Sequence, residues 1–194
     1  MKENKEFKKA VEFFIKANEQ FIRSDIYLFT SKVSERCFCG ALMNHMNLMN
    51  KSDSDNKQYY PNCYADVEYN RNCKNIRQDY QKQMPDGLKD KNITCDIILH
   101  SRGQNTNDYI IAIEMKKENN TRSTDSDKNR LKELTKKTKD SGKEYAYGYT
   151  LGIFYEISRK YDKVKVEYYK NGLKIESNDL INEFDINKLG ERIM

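Results

Sequence analysis

Apolar residues recur at helical spacing near the start of the chain. Phe7, Val11, Phe14, Ile15, Phe21 and Ile22 sit among Lys and Glu and predict an amphipathic helix over residues 6–23. Tyr27-Leu28-Phe29 bridges to a second helix, opened by Ser31 as cap with Ser34 and Glu35 in its first turn. Steps of three and four then give Phe38, Cys39, Leu42, Met46 and Met49, with Arg36, Asn44, Asn47 and Lys51 opposite. After a polar loop over 51–62 the period changes to two. Ala65, Val67 and Tyr69 alternate with Asp66, Glu68 and Asn70, as in a strand with one polar face. Residues 72–92 are long for a connection between paired strands, and predict an irregular or partly helical insertion with a turn at Met84-Pro85-Asp86-Gly87.

Two Ile-rich runs follow, 93–100 and 108–117, separated by a polar turn that contains Gly103. Both read as buried neighbouring strands. Leu131 and Leu134 mark a narrow seam on a mostly polar helix over 127–139, and 145–157 is a Tyr-rich strand. Strand, crossover helix and strand make a βαβ unit. Residues 164–176 predict a hairpin turning at Asn171-Gly172, and 178–194 a short terminal helix. The chain thus reads as one α/β domain over 1–194, mixing helices with a mixed sheet.

Charge breaks the pattern at one place. Asp96, Glu114 and Lys116 lie within the two Ile-rich strands, where charged side chains are rarely buried unless paired or holding a metal. Strand alternation points Glu114 and Lys116 one way and Met115 the other, and Asp96 reaches the same patch if the strands pair. Two converging carboxylates repel unless a cation lies between them, which suits a hard divalent ion such as Mg²⁺. Lys116, two positions from a ligand, is placed to orient a water and stabilise an anion.

Asp96, followed eighteen positions later by Glu114-Met115-Lys116, resembles the signature of the PD-(D/E)XK nuclease superfamily. Cys95 stands where the named Pro would be. The resemblance covers residues 34–157 and implies a restriction-endonuclease-like core, helix–three strands–helix–strand, over about 31–157. The helix at 6–23 and the hairpin and helix at 164–194 would be additions. It implies Mg²⁺, or Mn²⁺ as a substitute, held by Asp96, Glu114 and the main-chain carbonyl of Met115, with Lys116 positioning the attacking water. It further implies a catalytic role for Glu35 from the first core helix and a metal ligand on the first strand, Glu68 ahead of Asp66. On the residues alone, Glu35 is equally a first-turn carboxylate favoured by the helix dipole, and Glu68 a solvent-facing strand residue. The implied activity is phosphodiester hydrolysis in DNA leaving a 5′-phosphate, endonucleolytic rather than exonucleolytic. A homodimer is implied if both strands are cut.

Composition changes the picture only in part. The 194 residues are 37% apolar and 34% charged, with net charge +5, 14 Tyr and no Trp. A basic run over 116–143 beside an acidic hairpin suits a polyanion, DNA before RNA, although alone it reads as a solvated helix face. Five cysteines at uneven spacing argue against a disulfide framework, and His45 and His100 are too few for a histidine-based metal site. His100 is either a polar strand end or a contact for water or phosphate. The charged start, without a secretory signal, and the lack of a membrane-length apolar stretch predict a cytoplasmic protein with no membrane partner. Two other readings stay open. One is a catalytically inactive nucleic-acid-binding or assembly subunit with the same fold. The other is an unrelated basic α/β domain in which Glu114 and Lys116 are surface ion-pair partners.

Overall fold

The computed structural model describes residues 2–51, 58–68, 71–72, 80–81, 83–86, 89–92, 94–105, 108–118, 124–137 and 147–191. Helix α1, Lys2–Ser24, buries the face carrying Phe7, Val11, Phe14, Phe21 and Ile22, and adds Ala10, Phe13 and Ala17 to it. Helix α2, Ile26–Ser31, fills the bridge and stops where Lys32 turns left-handed at φ 52°. Helix α3, Glu35–Lys51, therefore starts later than its expected cap. Ser31 ends α2, and Ser34 caps α3 by accepting from the Cys37 N–H at 3.4 Å. The α3 stripe is buried at Phe38, Cys39, Leu42 and Met46.

Strands β1 (Tyr64–Val67), β6 (Ile97–His100), β7 (Tyr109–Lys117), β8 (Leu151–Ile157), β9 (Lys163–Lys170) and β10 (Leu173–Ile175) lie side by side in that order. Strand β11, Glu183–Asp185, pairs with β9 as a seventh member. The sheet is mixed: β7 and β8 run parallel and the other pairs antiparallel. Helix α4, Thr124–Thr135, provides the crossover between the parallel strands and begins three residues before its expected start. The β9–β10 hairpin turns at Asn171-Gly172 as expected, both at positive φ.

Two other expectations need correction. The insertion over 72–92 is not irregular or partly helical where it is described. Its described parts are short antiparallel pairs: β2 (Arg71–Asn72) with β3 (Tyr80–Gln81), and β4 (Gln83–Asp86) with β5 (Lys89–Asn92). Pro85 and Asp86 of the expected turn end β4, with Asp86 paired to Lys89, and Gly87 lies outside the described residues. The expected helix over 178–194 shrinks to α5, Ile186–Gly190, capped by Asp185, because Phe184 is drawn into β11 opposite Val164. A few apolar residues at loose spacing fit either period.

Layering follows from alternation along the strands. Ile111, Ile113 and Met115 of β7 join Ile153, Tyr155 and Ile157 of β8 against α1 and α3, forming the larger core. Ala112 and Phe154 face the other way, toward Leu131 and Leu134 of α4. This second core is small, and the buried apolar side chains of α4 lie in its C-terminal half. The N-terminal half of α4 lies over charged groups on the sheet. No helix among the described residues is long and apolar enough to cross a membrane.

Candidate active site

Strand β7 sets the geometry. Glu114 and Lys116 share the face of Ala112, while Met115 turns into the larger core, its Sδ 3.7 Å from Cys39 Sγ. Ile97 pairs with Ile113, so one step further Asp96 stands against Glu114 on the adjacent strand. The Met115 N–H donates to Asp96 Oδ2 at 2.7 Å, fixing that carboxylate at the strand end. Glu114 is 3% exposed and Lys116 4%. The sequence pattern thus brings its three central residues to one corner.

Helix α4 supplies two charges that the sequence pattern did not single out. Arg130 Nη1 donates to Glu114 Oε1 at 2.8 Å, and Lys116 Nζ donates to Asp127 Oδ2 at 3.0 Å. Arg130 Nη2 lies 3.5 Å from Asp127 Oδ1, closing a chain of ion pairs between sheet and helix. Beside it, Lys128 binds Glu167 at 2.9 Å and sits over the Phe154 ring. A signal for the two charges does exist: four positions before Leu131 is Asp127, and four before Leu134 is Arg130. The seam that packs α4 on the sheet therefore carries them onto Glu114 and Lys116.

Electrostatics mark this corner as strained. Burial is the main cause pushing Glu114 up to about 8; Arg130 opposes the rise, and the charges of Asp96 and Asp127 add to it. Asp96 is raised too, first by burial and then by Asp127 and Glu35, against the opposing Met115 N–H and Arg130. The charges of Glu35 and Asp127 thus act on Asp96, and those of Asp96 and Asp127 on Glu114, while Arg130 pairs with Glu114 and Lys116 with Asp127.

The remaining expected residues fall as follows. Glu35 is the first residue of α3, half-buried, and its charge reaches Asp96 and Cys39. Glu68 leaves the strand at φ 50°, donates its N–H to the Asp96 carbonyl at 3.1 Å, and sends its carboxylate to Arg36 at the surface, 2.8 Å away. Met115 touches the site through its N–H. Asp66 is committed elsewhere, accepting two bonds from Arg102 and holding His100 Nε2 at 2.9 Å. His100 is the polar end of β6, as expected, and is fully buried there. The four described cysteines are free thiols, and Cys73 lies outside the described residues.

Comparison with protein families, with characterised proteins and with solved structures returns no significant match for this chain. The case for a function therefore rests on the corner itself.

Among the described residues no three His, Cys, Asp or Glu side chains are grouped to cage a metal ion. Two carboxylates do converge, each with one oxygen engaged: Asp96 Oδ2 by an amide and Glu114 Oε1 by Arg130. An open pair of this kind fits Mg²⁺, which keeps several waters and binds through one or two carboxylates plus substrate phosphates. It does not fit a structural zinc, which takes four ligands, mostly Cys and His, in a closed tetrahedron. A groove of about 510 Å³ between α1 and residues 175–180 is lined by Phe7, Val11, Ile15 and Leu180 and includes none of these groups. A polymer bound across the surface needs no such cavity.

Proposed function

We propose that the protein is a Mg²⁺-dependent nuclease of PD-(D/E)XK type, hydrolysing phosphodiester bonds in DNA. One observation carries this reading: Asp96 and Glu114 converge from adjacent strands of an apolar hairpin, on the face that also holds buried Lys116. The element order supports it. Helix α3, antiparallel β1, β6 and β7, crossover α4 and parallel β8 follow the order of that superfamily's core.

In this reading Asp96 and Glu114 hold the ion, with the Met115 carbonyl as a further oxygen. Bound there, Mg²⁺ supplies Lewis-acid stabilisation of the phosphoryl group and acidifies a water. The chain does the positioning. The Met115 N–H holds Asp96 in place, and Asp127 holds the Lys116 ammonium. Lys116 orients the attacking water and offsets charge building on the phosphoryl oxygens, and in-line attack leaves a 5′-phosphate. Glu35 adds negative charge beside Asp96, while Glu68, whose carboxylate pairs with Arg36, contributes through its N–H to the Asp96 carbonyl. Lys128 and Lys132 lie on the helix that covers the site and can meet backbone phosphates. DNA before RNA, endonucleolytic cutting, and a dimer where both strands are cut belong to the same proposal.

A second reading, an inactive nucleic-acid-binding or assembly subunit, draws on the pairing of Lys116 and Arg130 with carboxylates of the chain itself. A site that neutralises itself can do without a metal. The deciding experiment is incubation of the protein with circular single-stranded DNA, duplex DNA and RNA, in Mg²⁺, Mn²⁺ or EDTA. The nuclease reading expects metal-dependent cutting that disappears in Asp96→Ala and Lys116→Ala variants which still unfold near the parent. Robust Mg²⁺-dependent cutting by either variant removes the assignment.

A further inference from the structure

The corner holds one charged group that the proposed chemistry leaves unused. Arg130 Nη1 sits on Glu114 Oε1 at 2.8 Å, on the carboxylate assigned to the ion. Its other nitrogen lies 3.5 Å from Asp127, one turn earlier on the same helix. The Arg130 side chain is 22% exposed, against 5% for Lys116 and 4% for Glu114. Of the two cations at the corner, Arg130 is therefore the one with a path to solvent.

We infer that Arg130 is an exchangeable partner of Glu114, donating to it while no metal is bound and swinging to the substrate phosphate once a divalent ion takes its place. This rests on the nuclease reading and adds the regulation of that site. The ion and the guanidinium compete for the same carboxylate, because both are cations drawn to one group and each repels the other at that distance. Arg130 also has somewhere to go. Asp127 lies at i−3 and keeps one end of the fork near the site, and a planar guanidinium matches two phosphate oxygens as well as it matches a carboxylate. Lys116 stays, since it is buried and held by Asp127. Metal binding thereby couples to substrate binding: the ion loads against Arg130, and the released Arg130 clamps the DNA.

The test uses full-length parent, Arg130→Gln and Glu114→Gln chains, Mn²⁺ as the metal, and a short duplex with phosphorothioate linkages as an uncut DNA probe. Arg130→Gln should bind Mn²⁺ alone about tenfold more tightly than the parent, within the usual range of coupling between sites. The parent should bind the duplex about tenfold more tightly with Mn²⁺ than without, and Arg130→Gln should lose that enhancement. A residue that merely braced α4 would move neither quantity in this opposed way. Arg130→Lys keeps the charge and serves if Gln unfolds the chain; it should restore weak Mn²⁺ binding. Unchanged or weaker Mn²⁺ binding in Arg130→Gln, with binding still lost in Glu114→Gln, overturns the exchange and leaves the nuclease reading standing. Mn²⁺ binding that survives Glu114→Gln overturns the nuclease reading itself.

Discussion

Replacing Glu114 by Gln should make the metal-free protein more stable at alkaline pH. The side chain is buried and its carboxyl is pushed from an ordinary 4.5 up to about 8. The sign follows from proton binding. Below about pH 4.5 the folded and unfolded chains both hold the proton. Between there and about 8 the unfolded chain releases it while the folded chain keeps it, so stability falls as pH rises. Each pH unit crossed in that window costs about 1.4 kcal/mol, so the loss across it is on the order of 4 kcal/mol. That is a large fraction of the roughly 5–15 kcal/mol typical of a whole domain. Asp96, raised as well, adds to the loss in the same direction. Gln keeps the shape and an acceptor for Arg130 but cannot ionise. Urea unfolding in EDTA from pH 5 to 8.5 should show the parent losing stability and the variant nearly level. By pH 8 their midpoints should differ by about 1–2 M urea, using slopes typical of small domains. A variant less stable than the parent at pH 8 would show that Glu114 is a satisfied ion pair rather than a strained one, and the reasoning fails.

Two further substitutions test how the scaffold holds the corner. Gly152→Ala places a methyl group 3.0 Å from Thr135 Cγ2 and 3.1 Å from Tyr169 Cβ. Thr135 cannot yield freely, because its hydroxyl donates to Leu131 O and accepts from Gly172 N. Overpacking should cost about 1–3 kcal/mol in denaturant unfolding. Asn50→Ala removes a buried amide that accepts from Tyr60 N and donates to the carbonyls of Tyr60 and Cys63. Stranding those backbone groups should cost about 3 kcal/mol while leaving metal binding intact, read as a lowered unfolding midpoint at constant Mg²⁺ affinity.

The parts of the molecule legible in the sequence are those where one period runs long enough. The stripe from Phe7 to Ile22 and the two Ile-rich runs decide helix and strand by themselves, and alternation alone puts Glu114 and Lys116 on one face with Met115 on the other. Short segments are ambiguous. Ser31 reads as the cap of the second long helix, yet Lys32 turns left-handed and Ser34 takes that role, which sequence spacing does not show. Phe184 could belong to a helix or a strand until the edge of β9 claims it. At the site, Asp96 and Glu114 stand out as charges out of place. Asp127 and Arg130 stay hidden because charges on a polar helix look ordinary, and only the packing of Leu131 and Leu134 aims them inward. Asp66 and Glu68 are indistinguishable by alternation. Contacts separate them, one bound to His100 and Arg102, the other to Arg36.

The central claim, that Asp96 and Glu114 together hold a divalent ion, is tested most directly by following the unfolding midpoint against Mg²⁺ concentration in the parent and in Asp96→Ala. Binding to the folded chain alone stabilises it by about 2.7 kcal/mol at a hundredfold excess over Kd. The parent midpoint should climb with Mg²⁺ and the variant midpoint should stay flat. Equal climbing in both chains, or none in the parent, would contradict the account.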